Sequence, residues 1–193
     1  CRDVGNVLLN RYNFEASRVI KILNEEATRE KILEVLESLQ DRLGPEDNLL
    51  IYYAGHGYYD RVSKLGYWVP VSARMSKIPD YIRNSTIHDY LRTINTKHTF
   101  LIADACYAGS LFASYRGGEG YVDAKSRWAF TSGNIEKVWD GEPGGNSPFA
   151  KSLVYFLSHY KEKNLPINKI VEEVSRQVMF NTNQNPKGSP LKM

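Results

Sequence analysis

Three short apolar runs constrain this chain most: Leu-Leu-Ile-Tyr-Tyr-Ala at 49–54, His-Thr-Phe-Leu-Ile-Ala at 98–103 and Trp-Ala-Phe-Thr-Ser at 128–132. Each has the length of a strand. The first in particular lacks the apolar–polar alternation of a strand with one wet face, so it must be covered on both faces. Between and after them lie segments with helical periodicity. Thr28 can cap a helix whose first turn holds Glu30 and whose buried face holds Ile32, Leu36, Leu39 and Leu43, with Gly44-Pro45 as its stop. Ser85 can open a second, carrying Ile87, Leu91 and Ile94. Ser147-Pro148 opens a third, with proline at the first helical position and Phe149, Leu153, Phe156 and Tyr160 on one side. A fourth turns Ile167, Ile170, Val171, Val174 and Val178 inward. Strands alternating with helices predict an α/β layer fold with a mainly parallel sheet. Residues 19–23 read as a further short strand, 58–71 as an aromatic-rich hairpin, and the tail after Asn181 as polar chain with two prolines.

The 193 residues suit a single domain with a sizeable core. The net charge of +3 is spread along the chain, without the block of like charge that marks a nucleic-acid arm. Tyr52, Tyr53, Tyr58, Tyr59, Tyr67 and Trp68 cluster around one strand and its hairpin, and without a basic stripe they read as packing rather than base-stacking residues. Neither nucleic acid nor a membrane is expected as a partner: the apolar runs are too short to span a bilayer, and the chain opens without a secretion signal. Only two cysteines occur, Cys1 and Cys106, so a disulfide framework is not expected and a reducing cytoplasm is. Histidines 56, 88, 98 and 159 stand too far apart for the usual zinc spacings, so no metal or other cofactor is expected.

Two of the apolar runs end in residues with chemistry. The first leads into Gly55-His56-Gly57 and the second into Asp104-Ala105-Cys106. In open parallel sheets, sites form beyond the carboxyl ends of strands, where loops leave the layer. A thiol attacks an amide as its thiolate and needs a base or positive neighbour to reach that form. Cys106 is placed where a following helix N-terminus would favour the thiolate, and His56 can accept its proton. The glycines around His56 allow a sharp turn and close approach to substrate. The backbone N–H groups of Gly57 and Cys106 are candidates for receiving an oxyanion. Taken singly, a cysteine after a buried strand is more often an inert small hydrophobe, and a histidine between glycines a surface turn residue. Their joint occurrence at two strand ends, 50 positions apart, favours a catalytic pair.

On these residues the chain resembles the caspases, metacaspases and bacterial caspase-like proteins. Tyr52-Tyr53-Ala54-Gly55-His56-Gly57 is similar to the family's apolar strand with Gly-His-Gly, and Asp104-Ala105-Cys106-Tyr107-Ala108-Gly109 to its Asp/Gln-x-Cys-x-x-Gly segment. The general caspase pattern places the histidine about 50 residues before the cysteine. Residues 66–71, Phe130-Thr131-Ser132-Gly133 and Asn146-Ser147-Pro148-Phe149 resemble bacterial members in the same order. The resemblance implies a caspase-hemoglobinase-like three-layer sandwich, helices on both faces of a mainly parallel sheet, with the first strand of the family missing from this chain. It implies a cysteine endopeptidase acting on protein substrates through a thioester acyl-enzyme, with Cys106 as nucleophile and His56 as base. It further implies a specificity pocket lined by Asp104, with Asp3, Ser132, Gly133 and Asp140 as further substrate-binding candidates. Carboxylates in that pocket favour cleavage after Arg, then Lys. Animal caspases carry Gln where Asp104 stands, so aspartate specificity is not expected; metacaspases often carry Ser where Ala54 stands, so the details of their pocket are not carried over. Asp104 is also a residue type that could cap a helix opening near the nucleophile.

Residues 113–126 contain Arg116-Gly117-Gly118-Glu119-Gly120 and read as a processing linker, with Arg116 favoured over Lys125 and Arg127 as a self-cleavage site. Family resemblance adds a bacterial cytoplasm, fusion to a regulatory domain or control by an activator protein, and calcium activation, the last without support from the residues themselves. The rival classes are an idle caspase-like interaction domain and a redox-sensing thiol at Cys106, for which Cys1 is the one resolving cysteine on offer. There is no G-x-S-x-G elbow and no phosphate-binding loop.

Overall fold

The computed structural model describes residues 1–112, 125–135, 137–138, 141–142, 144–162 and 164–191. In chain order its helices are α1 (Arg2–Arg11), α2 (Arg29–Arg42), α3 (Asn84–Thr93), α4 (Pro148–His159) and α5 (Ile167–Asn181). Its strands are β1 (Asn48–Ala54), β2 (His56–Asp60), β3 (Leu65–Val69), β4 (Ile82–Arg83), β5 (His98–Asp104), β6 (Ser126–Thr131) and β7 (Lys187–Pro190). The three apolar runs become β1, β5 and β6, which lie parallel in a sheet ordered β1-β5-β6-β7, with β7 antiparallel to β6.

β5 shows why these runs do not alternate in polarity. From Thr99 to Asp104 every residue is buried. Its side chains nevertheless point alternately to two cores, as strand geometry requires. Leu101 and Ala103 join Leu36 of α2 with Ile87 and Leu91 of α3, while Phe100 and Ile102 join Phe149 and Leu153 of α4 with Val174 and Val178 of α5. Helices therefore cover both faces, giving the expected three layers with a mostly parallel sheet in the middle. Burial of side chains of this size stabilises by roughly 1.5–3 kcal/mol each, which makes the two apolar clusters the main source of cohesion.

The helix signals act as read. Thr28 Oγ1 accepts from the Lys31 N–H at 3.1 Å, and Ser147 Oγ accepts from the Ala150 N–H at 2.9 Å with Pro148 behind it. Helix α3 begins at Asn84, one residue before the expected cap. The aromatic hairpin is present as β2 and β3, and β4 adds a third antiparallel strand that the sequence did not announce. Tyr53 of β1 stacks on Trp68 of β3, with ring centroids 4.0 Å apart and planes within 5°, and so ties the small sheet to the large one.

Two expectations about elements need correction, and one helix was not foreseen. Residues 19–23 form no strand: they run between short 3-10 turns at Ala16–Arg18 and Asn24–Glu26. Ile20 and Ile22 instead help line a cavity of about 230 Å³ with Leu49, Leu50 and Ile51, leaving β1 as the edge strand. Ile22 is half-buried there, while Ile20 stays exposed. The opening residues form helix α1, whose Val4 and Leu8 pack with the α4 and α5 core. The polar tail forms β7, an edge strand where Pro190 is tolerated because its missing N–H can face outward. Gly188 is needed there, since a Cβ would lie 2.5 Å from the Val171 methyl carbons.

Candidate active site

The site begins with a register. β1 and β5 pair in parallel from Asn48↔His98 to Ala54↔Asp104, and the Gly55 N–H donates to the Asp104 carbonyl at 3.3 Å. Both strands therefore end at the same level, and His56 and Cys106 each lie two residues beyond the last rung. Gly57 shows how close the two chains then run. A Cβ at this position would overlap the Cys106 carbonyl oxygen and lie 3.1 Å from its carbonyl carbon. The second glycine of Gly-His-Gly is thus required by the backbone of the nucleophile itself.

Cys106 sits on a tight turn. Tyr107, the next residue, has φ +58°, a conformation that costs a non-glycine residue about 1–3 kcal/mol and that surrounding structure must hold in place. The turn closes through Ala108 N–H to Ala105 O at 3.3 Å and Ser110 N–H to Tyr107 O at 3.0 Å. The helix expected after the nucleophile is only a five-residue 3-10 segment, Ala108–Phe112. A Cβ on Gly109 would lie 2.6 Å from Asn134 Cα, and the Gly109 N–H donates to the Asn134 carbonyl at 3.1 Å, so the turn is anchored to the chain after β6. The thiol accepts from the Val138 N–H at 3.4 Å and faces the Val138 carbonyl at 3.7 Å. Cys106 is half-buried, and His56 is exposed.

Asp104, the last residue of β5, is 7% exposed. It faces a cavity of about 250 Å³ whose wall includes Tyr52, Ala54, Gly55, His56, Asp104 and Ser147. Ser147 Oγ donates to Asp104 Oδ2 at 2.5 Å while accepting from Ala150, so one hydroxyl both caps α4 and orients the carboxylate. Tyr52 Oη lies 3.4 Å from the same oxygen. Burial, reinforced by the neighbouring Asp104 charge, pushes the Tyr52 phenol well above its usual range, so it remains a donor there. Asp3, in the first turn of α1, accepts from Asn146 Nδ2 at 2.6 Å, and Asn146 also lines the cavity, which sets a second carboxylate at its rim.

The structure thus sets His56 and Cys106 beyond the ends of paired strands with Gly57 against the Cys106 carbonyl, puts His56 and Asp104 on the wall of one cavity, and joins Asp3 to that wall through Asn146. Asp104 does not cap the turn after the nucleophile; its hydroxyl partners are Ser147 and Tyr52. Ser132 and Gly133 do not line the cavity. Ser132 is fully buried, its hydroxyl accepting the Ala105 N–H at 3.1 Å, and Gly133 is buried with its carbonyl taken by Thr131 Oγ1 at 2.8 Å. Their side of the strand end supports the nucleophile turn from within. Asp140 and Arg116 lie outside the described residues. Tyr52 and Ser147 escaped the sequence reading as site residues. Ser147 was legible only as a cap, although a cap hydroxyl keeps its own proton free for a second partner. Among the described residues, no group of three or more His, Cys, Asp or Glu could hold a metal ion, and no helix is long and apolar enough to cross a membrane. A calcium site therefore has no matching donor set among them.

The family model of the caspase domain matches residues 1–191. No curated protein matches the chain. Among solved structures, the crystal structure of protein GSU0716 from Geobacter sulfurreducens superposes with a TM-score of 0.65 at 14% identity, over 91% of this chain and 78% of that one. At that identity the likeness speaks for the fold, a caspase-like α/β sandwich.

Proposed function

This chain belongs to the caspase domain family, and on that premise we propose that it is a cysteine endopeptidase that cleaves protein substrates after basic residues, Arg before Lys. One observation carries the reading: the Ala54↔Asp104 rung, which delivers His56 and Cys106 to the same end of the sheet. In the proposed reaction His56 takes the proton from Cys106 Sγ, and the thiolate attacks the scissile carbonyl carbon. The Gly57 and Cys106 N–H groups receive the oxyanion. Collapse of that intermediate breaks the C–N bond, His56 returns the proton to the leaving amine, and a thioester remains on Cys106. Water, deprotonated by His56, then hydrolyses the thioester and frees the thiol. No metal takes part.

The cation seated in the pocket is the substrate's basic side chain. Asp104, oriented by Ser147, supplies the charge a guanidinium would pair with, and Asp3 adds to the field. The reading extends to processing at Arg116, in a cytoplasmic protein whose 193 residues act as one peptidase domain under a regulatory domain or activator protein. Mass spectrometry of the purified protein tests the cleavage, which an intact yet fully active chain would exclude as a requirement.

The deciding experiment profiles a peptide library with wild type and Cys106→Ala. Cleavage after Arg and Lys by the wild type alone is the expected result. A well-folded wild type that cleaves nothing, and is not labelled by an arginyl chloromethyl ketone, would return the chain to the idle interaction-domain reading.

A further inference from the structure

Two buried polar side chains, Asn84 of α3 and Ser110 of the segment after the nucleophile, meet under the nucleophile turn and take no part in the chemistry above. Asn84, the first residue of α3, is 8% exposed and donates from Nδ2 to Ser110 Oγ at 2.9 Å. Ser110, 5% exposed, donates in turn to the Tyr107 carbonyl at 2.6 Å. The same carbonyl accepts the Ser110 N–H at 3.0 Å, so both of its lone pairs are used. Gly66 of β3 closes over the pair: a Cβ there would overlap Ser110 Oγ and lie 2.5 Å from Asn84 Nδ2. Asn84 Oδ1 is buried without a hydrogen-bond partner.

A fully packed interior site would be cheaper to fill with apolar groups than with an amide that leaves one atom unpaired. Here the polar atoms form a chain with one direction, amide N–H to hydroxyl and hydroxyl to carbonyl, ending one residue after Cys106. That residue is Tyr107 at φ +58°, the conformation in this turn that needs outside support. Its φ fixes the angle between the Cys106–Tyr107 peptide and the Tyr107 carbonyl that Ser110 holds, so a fixed carbonyl anchors the peptide from which Cys106 hangs and, through it, the thiol. On the other side Ser132 Oγ holds the Ala105 N–H. We propose that Asn84 and Ser110 are positioning residues that lock the turn of the nucleophile in its attacking orientation. Their effect on hydrolysis rests on the peptidase reading; their effect on the turn does not.

Ser110→Ala removes the hydroxyl, and Asn84→Asp keeps the amide's shape but removes its donor, so that Ser110 turns its proton toward the new carboxylate and away from Tyr107. Three readouts are compared with wild type: steady-state hydrolysis of an arginyl peptide, alkylation of Cys106 by iodoacetamide, and hydrogen exchange of the peptide covering 104–112. The expected result is a fall in kcat between about tenfold and 10²-fold, the scale of a misaimed attacking group, with KM within about twofold. Iodoacetamide, which needs a thiolate but no oxyanion site, should react within about threefold of the wild-type rate. Exchange in 104–112 should quicken at least about tenfold while the cores stay protected, since a turn held by these bonds opens locally once they go. Unchanged kcat in both variants, or unchanged exchange in 104–112, overturns the proposal. If the wild type hydrolyses nothing, the peptidase reading falls, and exchange alone still judges the relay. If Asn84→Asp does not fold, Ser110→Ala, which leaves only an alanine-sized change, decides by itself.

Discussion

Ala54 and Asp104 are Cα partners at the last rung of the parallel ladder between β1 and β5, so His56 and Cys106 project from the same level of the sheet. A histidine and a cysteine placed by covalent backbone in this way do not depend on each other for their positions. Each can be removed without disturbing the other.

The first expectation concerns that pair. Cys106→Ala abolishes peptide hydrolysis, and His56→Ala lowers it by about 10²–10⁴-fold, the usual value of a positioned general base. Neither change should move the urea midpoint noticeably, because His56 is exposed and Cys106 is outside both apolar clusters. Hydrolysis by Cys106→Ala at the wild-type rate would remove the thiol from the mechanism.

Gly57→Ala tests the contact between the two strand ends. Its Cβ would overlap the Cys106 carbonyl oxygen, backbone that cannot swing away as a side chain could. Overpacking of this kind costs about 1–3 kcal/mol, to be read from denaturant unfolding. On the proposed mechanism the same shift displaces an oxyanion donor, so kcat should fall by about 10²-fold or more. A variant with both stability and kcat at wild-type levels would contradict the geometry.

Much of this site was legible because strand ends, glycines and a thiol carry strong local signals. The apolar runs at 49–54 and 98–103 identified buried strands, and what followed each was the chemistry. Other parts depended on contacts between distant residues. Residues 19–23 have strand composition, but they run between two 3-10 turns, with Ile20 and Ile22 on the wall of a cavity beside β1 rather than in a ladder. Residues 187–190 have poor strand composition, yet they pair with β6 because Gly188 fits under Val171. Ser132 looked like a substrate contact in a strand-end motif, and only its full burial against Ala105 shows that it holds the turn. Ser147 advertised a helix start, while its bond to Asp104 joins residues 43 positions apart, which no local pattern encodes.

His88 makes stability depend on pH. Burial in α3 holds its imidazole below the ordinary value of 6.5, partly offset by the Leu111 backbone and by Asp89, and its Nε2 has no partner. The unfolded chain therefore binds this proton more readily than the folded one. Stability rises with pH wherever the unfolded state holds more protons. It should be complete above about pH 6.5 and decline as pH falls from there toward the lower folded-state value. His88→Met removes the titration and should flatten the difference between urea midpoints measured at pH 7.5 and 5.5. A midpoint difference as large in the variant as in wild type would assign the acid sensitivity to another group.

The last expectation concerns the residue before the scissile bond. Asp104 is buried on the wall of the cavity it shares with His56, with Ser147 Oγ on one carboxylate oxygen and Asp3 held at the rim by Asn146. A carboxylate so placed attracts a cation and repels an aspartate side chain, so selection works by both attraction and rejection. The planar guanidinium can address carboxylate oxygens in pairs, which a Lys ammonium cannot, and this ranks Arg above Lys. Asp104→Asn keeps the shape and an acceptor for Ser147 but removes the charge. Loss of one partner of a buried charge pair costs about 2–5 kcal/mol, so kcat/KM on arginyl peptides should fall by at least about 30-fold. Labelling of Cys106 by iodoacetamide should persist, since the thiol bonds to Val138 and not to the pocket. Ser147→Ala provides the companion measurement. It removes the α4 cap, which costs about 0.5–2 kcal/mol of stability, and it takes one hydroxyl donor from the Asp104 carboxylate. That variant should raise KM for arginyl peptides while keeping the charge preference. Faster cleavage after Asp than after Arg by the wild type, or an undiminished Arg preference in Asp104→Asn, would remove Asp104 from the specificity pocket and leave the His56–Cys106 pair standing.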